Sequence, residues 1–196
     1  MTLQDILPYS KTLLDAVLQE GDIAIDATIG NGHDTVFLAR KVGKRGNVYG
    51  FDIQREAIEK TKARLKEQGL LERVTLYQTS HHHLIDTIPI QKHGLIKAAV
   101  FNLGYLPRGN KAIVTKGKTT IAAVKQLLQI LQPGGLIVLV VYHGHPEGKK
   151  ERDELLEFVQ TIEQSKASVL RYQFMNQRND PPFILAIEKN SLPYEG

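Results

Sequence analysis

Three short stretches of this 196-residue chain hold groups whose types and spacing suit chemistry. The first is 26–35, DATIGNGHDT, an acid followed by a small, glycine-bearing turn. Glycines let the backbone take left-handed angles and come close to a bound molecule. A second acid, Asp52, stands 20 residues beyond Gly32, where a carboxylate can accept both hydroxyls of a ribose. The second stretch is Phe101-Asn102-Leu103-Gly104-Tyr105-Leu106-Pro107. An asparagine carbonyl and nearby backbone carbonyls accept hydrogen bonds from a nitrogen, and the aromatic gives it a surface to pack on. The third is Tyr142-His143-Gly144-His145-Pro146, with two histidines for a phosphate, a proton or a metal, or for a plain loop role.

These stretches need strands and helices to position them. Residues 22–27 and 47–52 read as short strands ending in Asp26 or its neighbour and in Asp52. Further strands are expected at 73–78, 95–101, 136–142, 168–175 and 183–189. Apolar periodicity gives helices over 9–19, 32–42, 54–68, 118–131 and 148–164, with a weaker one at 81–88. LIVLVVY (136–142) is apolar on both faces, as a central parallel strand requires. NQRNDPP joins the last two strands as a hairpin-like turn. The alternation predicts an α/β protein: a doubly wound, mostly parallel seven-stranded sheet with an antiparallel terminal strand. With no repeat or linker, residues 1–196 read as one domain. The charged helix at 148–164 reads as a solvated face, and loop 102–117 as poor in apolar pattern.

Composition removes several classes. At 42% hydrophobic and 23% charged residues, the chain is not a disordered one. No apolar run reaches the roughly 20 residues of a membrane span, and the N-terminus lacks a secretory pattern, so a cytoplasmic location is expected. The absence of cysteine excludes disulfides, thiolate zinc sites and a cysteine nucleophile. Chemistry at carbon-5 of a pyrimidine that starts with cysteine addition falls with them, which leaves a nitrogen or oxygen nucleophile, and Asn102 favours nitrogen. His81-His82-His83 lacks other ligands at metal spacing and reads as a solvated helix start, so no metal is expected.

The turn at 26–35 resembles the acid-x-Gly-x-Gly-x-Gly turn of class I methyltransferases, whose cofactor is S-adenosylmethionine. Asp26, Gly30 and Gly32 match, and Thr28 takes the place of the first glycine. The dinucleotide fingerprint would want a third glycine where Thr35 stands, which counts against a NAD oxidoreductase. Candidate cofactor-binding residues are Asp26, Thr28, Gly30, Asn31, Gly32, Asp34, Thr35, Asp52, Gln54, Ser80, His81 and Asn102. Ser80 and His81 close the third strand, where the adenine edge is expected. FNLGYLP resembles the Asn/Asp-Pro-Pro-Tyr motif of amino-methyltransferases, with Leu103-Gly104 in place of the prolines, making Asn102, Gly104 and Tyr105 the catalytic candidates. An alkylamine must also lose a proton before it attacks, to a histidine or to water.

The net charge is +4, and 102–118 carries Arg108, Lys111, Lys116 and Lys118 with no acid. With His143, His145 and Arg178 this makes a positive rim suited to an RNA backbone. Together, DATIGNGHDT, GFDIQ, FNLGYLP and YHGHP resemble the bacterial rRNA methylase family over nearly the whole chain. That family includes methyltransferases of tRNA. The resemblance implies methylation of the side-chain amine of 5-aminomethyl-2-thiouridine at the wobble position, in the anticodon loop, to give 5-methylaminomethyl-2-thiouridine. From residues alone the alternatives stay open: an amine on a protein or small molecule, a ribosomal RNA base, or an RNA-binding module without catalysis. A homodimer would enlarge the RNA surface of so small a protein.

Overall fold

A computed structural model describes residues 2–104 and 115–191. The sheet has seven strands: β1 (Ile23–Asp26), β2 (Asn47–Asp52), β3 (Val74–Gln78), β4 (Ile96–Leu103), β5 (Leu131–Val141), β6 (Ala167–Tyr172) and β7 (Phe183–Lys189). Their order is β3-β2-β1-β4-β5-β7-β6. β1 to β5 run parallel, and β7 is antiparallel to both β5 and β6. The direction of winding reverses between β1 and β4. In an open sheet of this kind ligands bind beyond the carboxyl ends at that switch point, and both chemical stretches of the first half end there.

The helices are α1 (Ile6–Val17), α2 (His33–Lys41), α3 (Arg55–Glu67), the single turn α4 (Leu84–Thr87), α5 (Gly117–Ile130) and α6 (Pro146–Gln160). Strand alternation divides the core into two layers. On one face Val100, Val138, Val140 and Ile184 pack with Leu14, Leu38 and Leu65 of α1, α2 and α3. On the other, Phe101, Leu103, Val141 and Phe183 pack with Leu84, Leu127 and Leu155 of α4, α5 and α6. Leu14 and Leu127 are wholly buried; cutting either to alanine would cost about 2–5 kcal/mol.

The expected fold is present, with local differences. α1 starts at Ile6, three residues before the expected start, and takes Pro8 into its first turn. The amides there have no intrahelical partner, so proline loses nothing. β5 starts at Leu131, which pairs with Ile96, and resumes at Leu136 opposite Ala98. Pro133-Gly134-Gly135 lies within the resulting bulge, with Gly134 at φ 70°. Residues 81–83 form a 3-10 turn, and α4 adds one turn. α6 is only partly a solvated face. Gly148, Glu151, Leu155 and Val159 are buried along one side, and a charge sits within that stripe.

Candidate methyl-transfer site

Asp26 ends β1 with its carboxylate wholly buried. One oxygen accepts the Thr28 N–H at 3.2 Å, and the other accepts the Thr35 hydroxyl at 2.6 Å. The acid therefore ties the start of the glycine turn to the first turn of α2. Burial, then the charge of Asp34, push its pKa up to about 7, against the two hydrogen bonds. Between these ties Gly30 and Gly32 take left-handed angles, φ 54° and 76°. A Cβ on Gly32 would also strike the Thr61 side chain on α3. A bare, close-packed turn facing the switch point fits the close approach of a bound nucleoside.

Asp52 closes this side of the site. Its oxygens accept the Gly30 N–H and the Gln54 N–H, each at 2.9 Å. Each carboxylate oxygen keeps acceptor capacity for a further donor, so the group fits a pair of ribose hydroxyls. Its half-burial raises its pKa, opposed by those backbone donors. Gln54 caps α3 by position only, leaving its side chain unspent on the helix end.

Asn102 sits at the carboxyl end of β4, on the same sheet face as Val100 and therefore on the side of α1 and α2. Its backbone N–H donates to the Thr28 hydroxyl at 2.7 Å, joining the glycine turn to β4 across the switch point. Its side-chain NH2 donates to the Asp34 carboxylate in a very short hydrogen bond. A carboxylate accepts and does not donate. The bond therefore fixes the amide, and leaves the Asn102 carbonyl oxygen available to a donor. Tyr142, following β5, packs on this same face; burial and the nearby charge of Asp34 raise its pKa.

Tyr142 also borders a cleft of about 380 Å³ that is walled by Ile6, Leu7 and Pro8 of α1, and by Phe174 and Pro182. The start of α1 is held over this cleft by Tyr172, whose hydroxyl donates to Gln4 O at 2.7 Å and whose ring stacks on Tyr9 at 4.0 Å. Neither α1 nor Phe174 stood among the sequence candidates. The aromatic cluster at 172–174 was the available signal, but its proximity to Tyr9 depends on β6 and α1 meeting in space.

A further group underlies the β4 loop. Gly104 N–H donates to the Thr115 hydroxyl at 2.9 Å, and Thr115 N–H donates back to Gly104 O at 3.0 Å. The Thr115 hydroxyl in turn donates to Glu151 at 2.5 Å, and the Thr120 hydroxyl donates to its other oxygen at 2.7 Å. Glu151 is the charge in the buried stripe of α6, its pKa raised by that burial and lowered by the two hydroxyls. No local spacing links residues so far apart in the chain.

The other candidates divide. Asn31 lines a separate groove with Lys60 and Arg64 of α3. The Ser80 hydroxyl is engaged by His82 Nδ1 at 2.7 Å. His81 is buried, with Nδ1 3.1 Å from Ala27 O and its ring edge-on to Phe101. Burial lowers its pKa to about 4, so it is a neutral tie between β3 and β1. His143 lies on the sheet face opposite Asn102, 5.5 Å from the Phe183 ring and 3.9 Å from Asp180. Burial and Arg152 lower its pKa. His145 is the N-cap residue of α6, its carbonyl accepting the Lys149 N–H at 3.0 Å. Lys116 and Arg178 are exposed. Tyr105, Arg108 and Lys111 lie outside the described residues. Among the described residues no group of His, Cys, Asp or Glu is arranged to hold a metal, and no helix is long and apolar enough to cross a membrane.

The strand order, the turn after β1 and the acid after β2 define a class I methyltransferase dependent on S-adenosylmethionine. Known proteins agree. Residues 48–188 match the family described as "Putative rRNA methylase", and the chain belongs to that family. It is 37% identical over 185 residues to the chloroplastic tRNA (mnm(5)s(2)U34)-methyltransferase of Arabidopsis thaliana, covering 90% of this chain and 67% of that one. Among solved structures, a "putative rRNA-methylase" from Clostridium thermocellum is 41% identical, with TM-score 0.93 over 96% of this chain and all of the other. A Streptococcus mutans methyltransferase in complex with SAH is 39% identical, with TM-score 0.86 over 95% and 99% of the two chains.

Proposed function

We propose that this enzyme methylates the side-chain amine of 5-aminomethyl-2-thiouridine at the wobble position of tRNA. The observation that carries the reading is the Asn102 amide, fixed by Asp34 so that its carbonyl oxygen is left for an acceptor N–H. The Arabidopsis relative, named for that wobble nucleotide, supports the choice of substrate. S-adenosylmethionine, when bound, supplies a methyl already activated by its sulfonium. In this reading Asp52 accepts the ribose hydroxyls, and the turn at Gly30 and Gly32 admits the methionine part against the backbone. Asn102 and the Gly104 carbonyl region aim the amine lone pair. Such alignment can supply much of the rate, because a well-oriented pair reacts as if at about 10⁵ M or more.

Tyr142, Phe174 and Pro8 receive the base, while Arg108, Lys111, Lys116 and Arg178 meet phosphates of the anticodon loop. The same reading takes 1–196 as one catalytic domain. A second copy would extend the basic surface, and light scattering of the purified protein tests that. The central test incubates the protein with labelled S-adenosylmethionine and tRNA carrying the aminomethyl group, and digests the product for nucleoside mass spectrometry. Conversion to the methylaminomethyl nucleoside is expected. Label entering ribosomal RNA, with the tRNA nucleoside unchanged, would refute the reading.

A further inference from the structure

At neutral pH an alkylamine is an ammonium ion, since such groups lose their proton near pH 10. The acceptor therefore arrives with a positive charge and without a lone pair. A site for it needs an anion beside the hydrogen-bond acceptor. The two buried histidines do not provide a base: His81 is tied to the Ala27 backbone, and His143 is on the other sheet face with Phe183. Asp34 is placed differently. It stands in the first turn of α2, half-buried, with one carboxylate oxygen held by the Asn102 NH2. Among the described residues, Tyr142 and Asp26 are the titratable groups whose pKa its charge raises. Its other oxygen has no bond to Asn102 and is free to face the same acceptor as the Asn102 carbonyl.

We infer that Asp34 selects a cationic amine as acceptor and takes its proton, acting directly on the substrate rather than on the methyl donor. The inference rests on the amine reading above. The ammonium pairs with the free Asp34 oxygen while one N–H donates to the Asn102 carbonyl. One N–H bond then breaks, and the proton passes to the carboxylate and on to water. The freed lone pair forms the new N–C bond as the C–S bond breaks, its electron pair staying on sulfur. The product is a secondary ammonium, so charge and protons balance. A neutral hydroxyl or ring N–H can only donate a hydrogen bond to this carboxylate, whereas the ammonium also gains the charge pairing.

The test compares Asp34→Asn and Asp34→Ala with the wild type in single turnovers on amine-bearing tRNA, from pH 7 to about 9.5, near where alkylamines become neutral. The asparagine variant keeps a carbonyl for the Asn102 NH2 but loses the charge. Its rate should fall by about 100-fold at pH 7, the lower range for acid–base catalysis, and climb steeply toward the wild type as the pH rises. Asp34→Ala also frees the Asn102 amide, and should stay slow throughout. Calorimetry should show S-adenosylmethionine binding unchanged in Asp34→Asn. A variant profile parallel to the wild type, or a loss of cofactor binding, overturns the inference. A wild type that leaves the amine unmethylated overturns the reading beneath it.

Discussion

Asp26→Asn should make stability less sensitive to pH, in a direction opposite to the usual acid denaturation. Aspartate in an unfolded chain ionises at its ordinary value of 3.8, but in the folded protein Asp26 holds its proton up to about 7. Between those values the folded state binds a proton that the unfolded state has released, so stability falls as pH rises. One proton is worth about 1.4 kcal/mol per pH unit, and the window gives about 4 kcal/mol. This contribution is intact below pH 4 and gone above pH 7. Asparagine stays neutral throughout. Its carbonyl can accept the Thr28 N–H while its NH2 donates to the Thr35 hydroxyl oxygen, so both ties survive in a side chain without charge. Urea unfolding of both proteins from pH 4 to 8 isolates the effect, because Glu151 contributes equally to each and Asp52 is the least of the influences on Asp26. The stability of Asp26→Asn relative to wild type should rise by about 4 kcal/mol over that range. A flat difference would mean that Asp26 is ionised in the fold, and that the buried-acid account of the turn is wrong.

Other substitutions test the remaining supports. Gly32→Ala puts a side chain at φ 76° and against Thr61, which should cost about 1–2 kcal/mol in backbone strain alone and weaken cofactor binding. Adding Thr61→Ala should recover part of the melting temperature but not all of it. Thr115→Val removes the acceptor for Gly104 N–H and a donor to Glu151, so kcat should drop while cofactor affinity, read by calorimetry, holds. The expected stability loss is about 1–3 kcal/mol. Lys116→Ala should lower RNA affinity equally across RNA sequences and reduce the log-log salt slope by about 1.

The fold was legible because its signals are local. The two-face apolar run of β5, the acids ending β1 and β2, and the short link from β6 to β7 each report on their own neighbourhood. The left-handed Asn179 and Asp180 in that link are likewise a local backbone preference. In the site, Asn102 and Asp34 could be picked out as polar residues in motifs. Their bond could not, because it joins α2 to β4 across the switch point. His143 was misleading for a related reason. It adjoins Tyr142 in sequence, yet one step along a strand changes face, and the two side chains lie on opposite sides of the sheet. Glu151 was read with a solvated helix because a carboxylate has a polar label; its burial depends on Thr115 and Thr120 supplying hydroxyls.

The paired bonds between Gly104 and Thr115 act as a clasp between the end of β4 and the approach to α5, and Glu151 anchors the clasp to α6. With Thr28 holding Asn102 and Thr115 holding Gly104, the end of β4 is set from two sides and owes its place to neither alone.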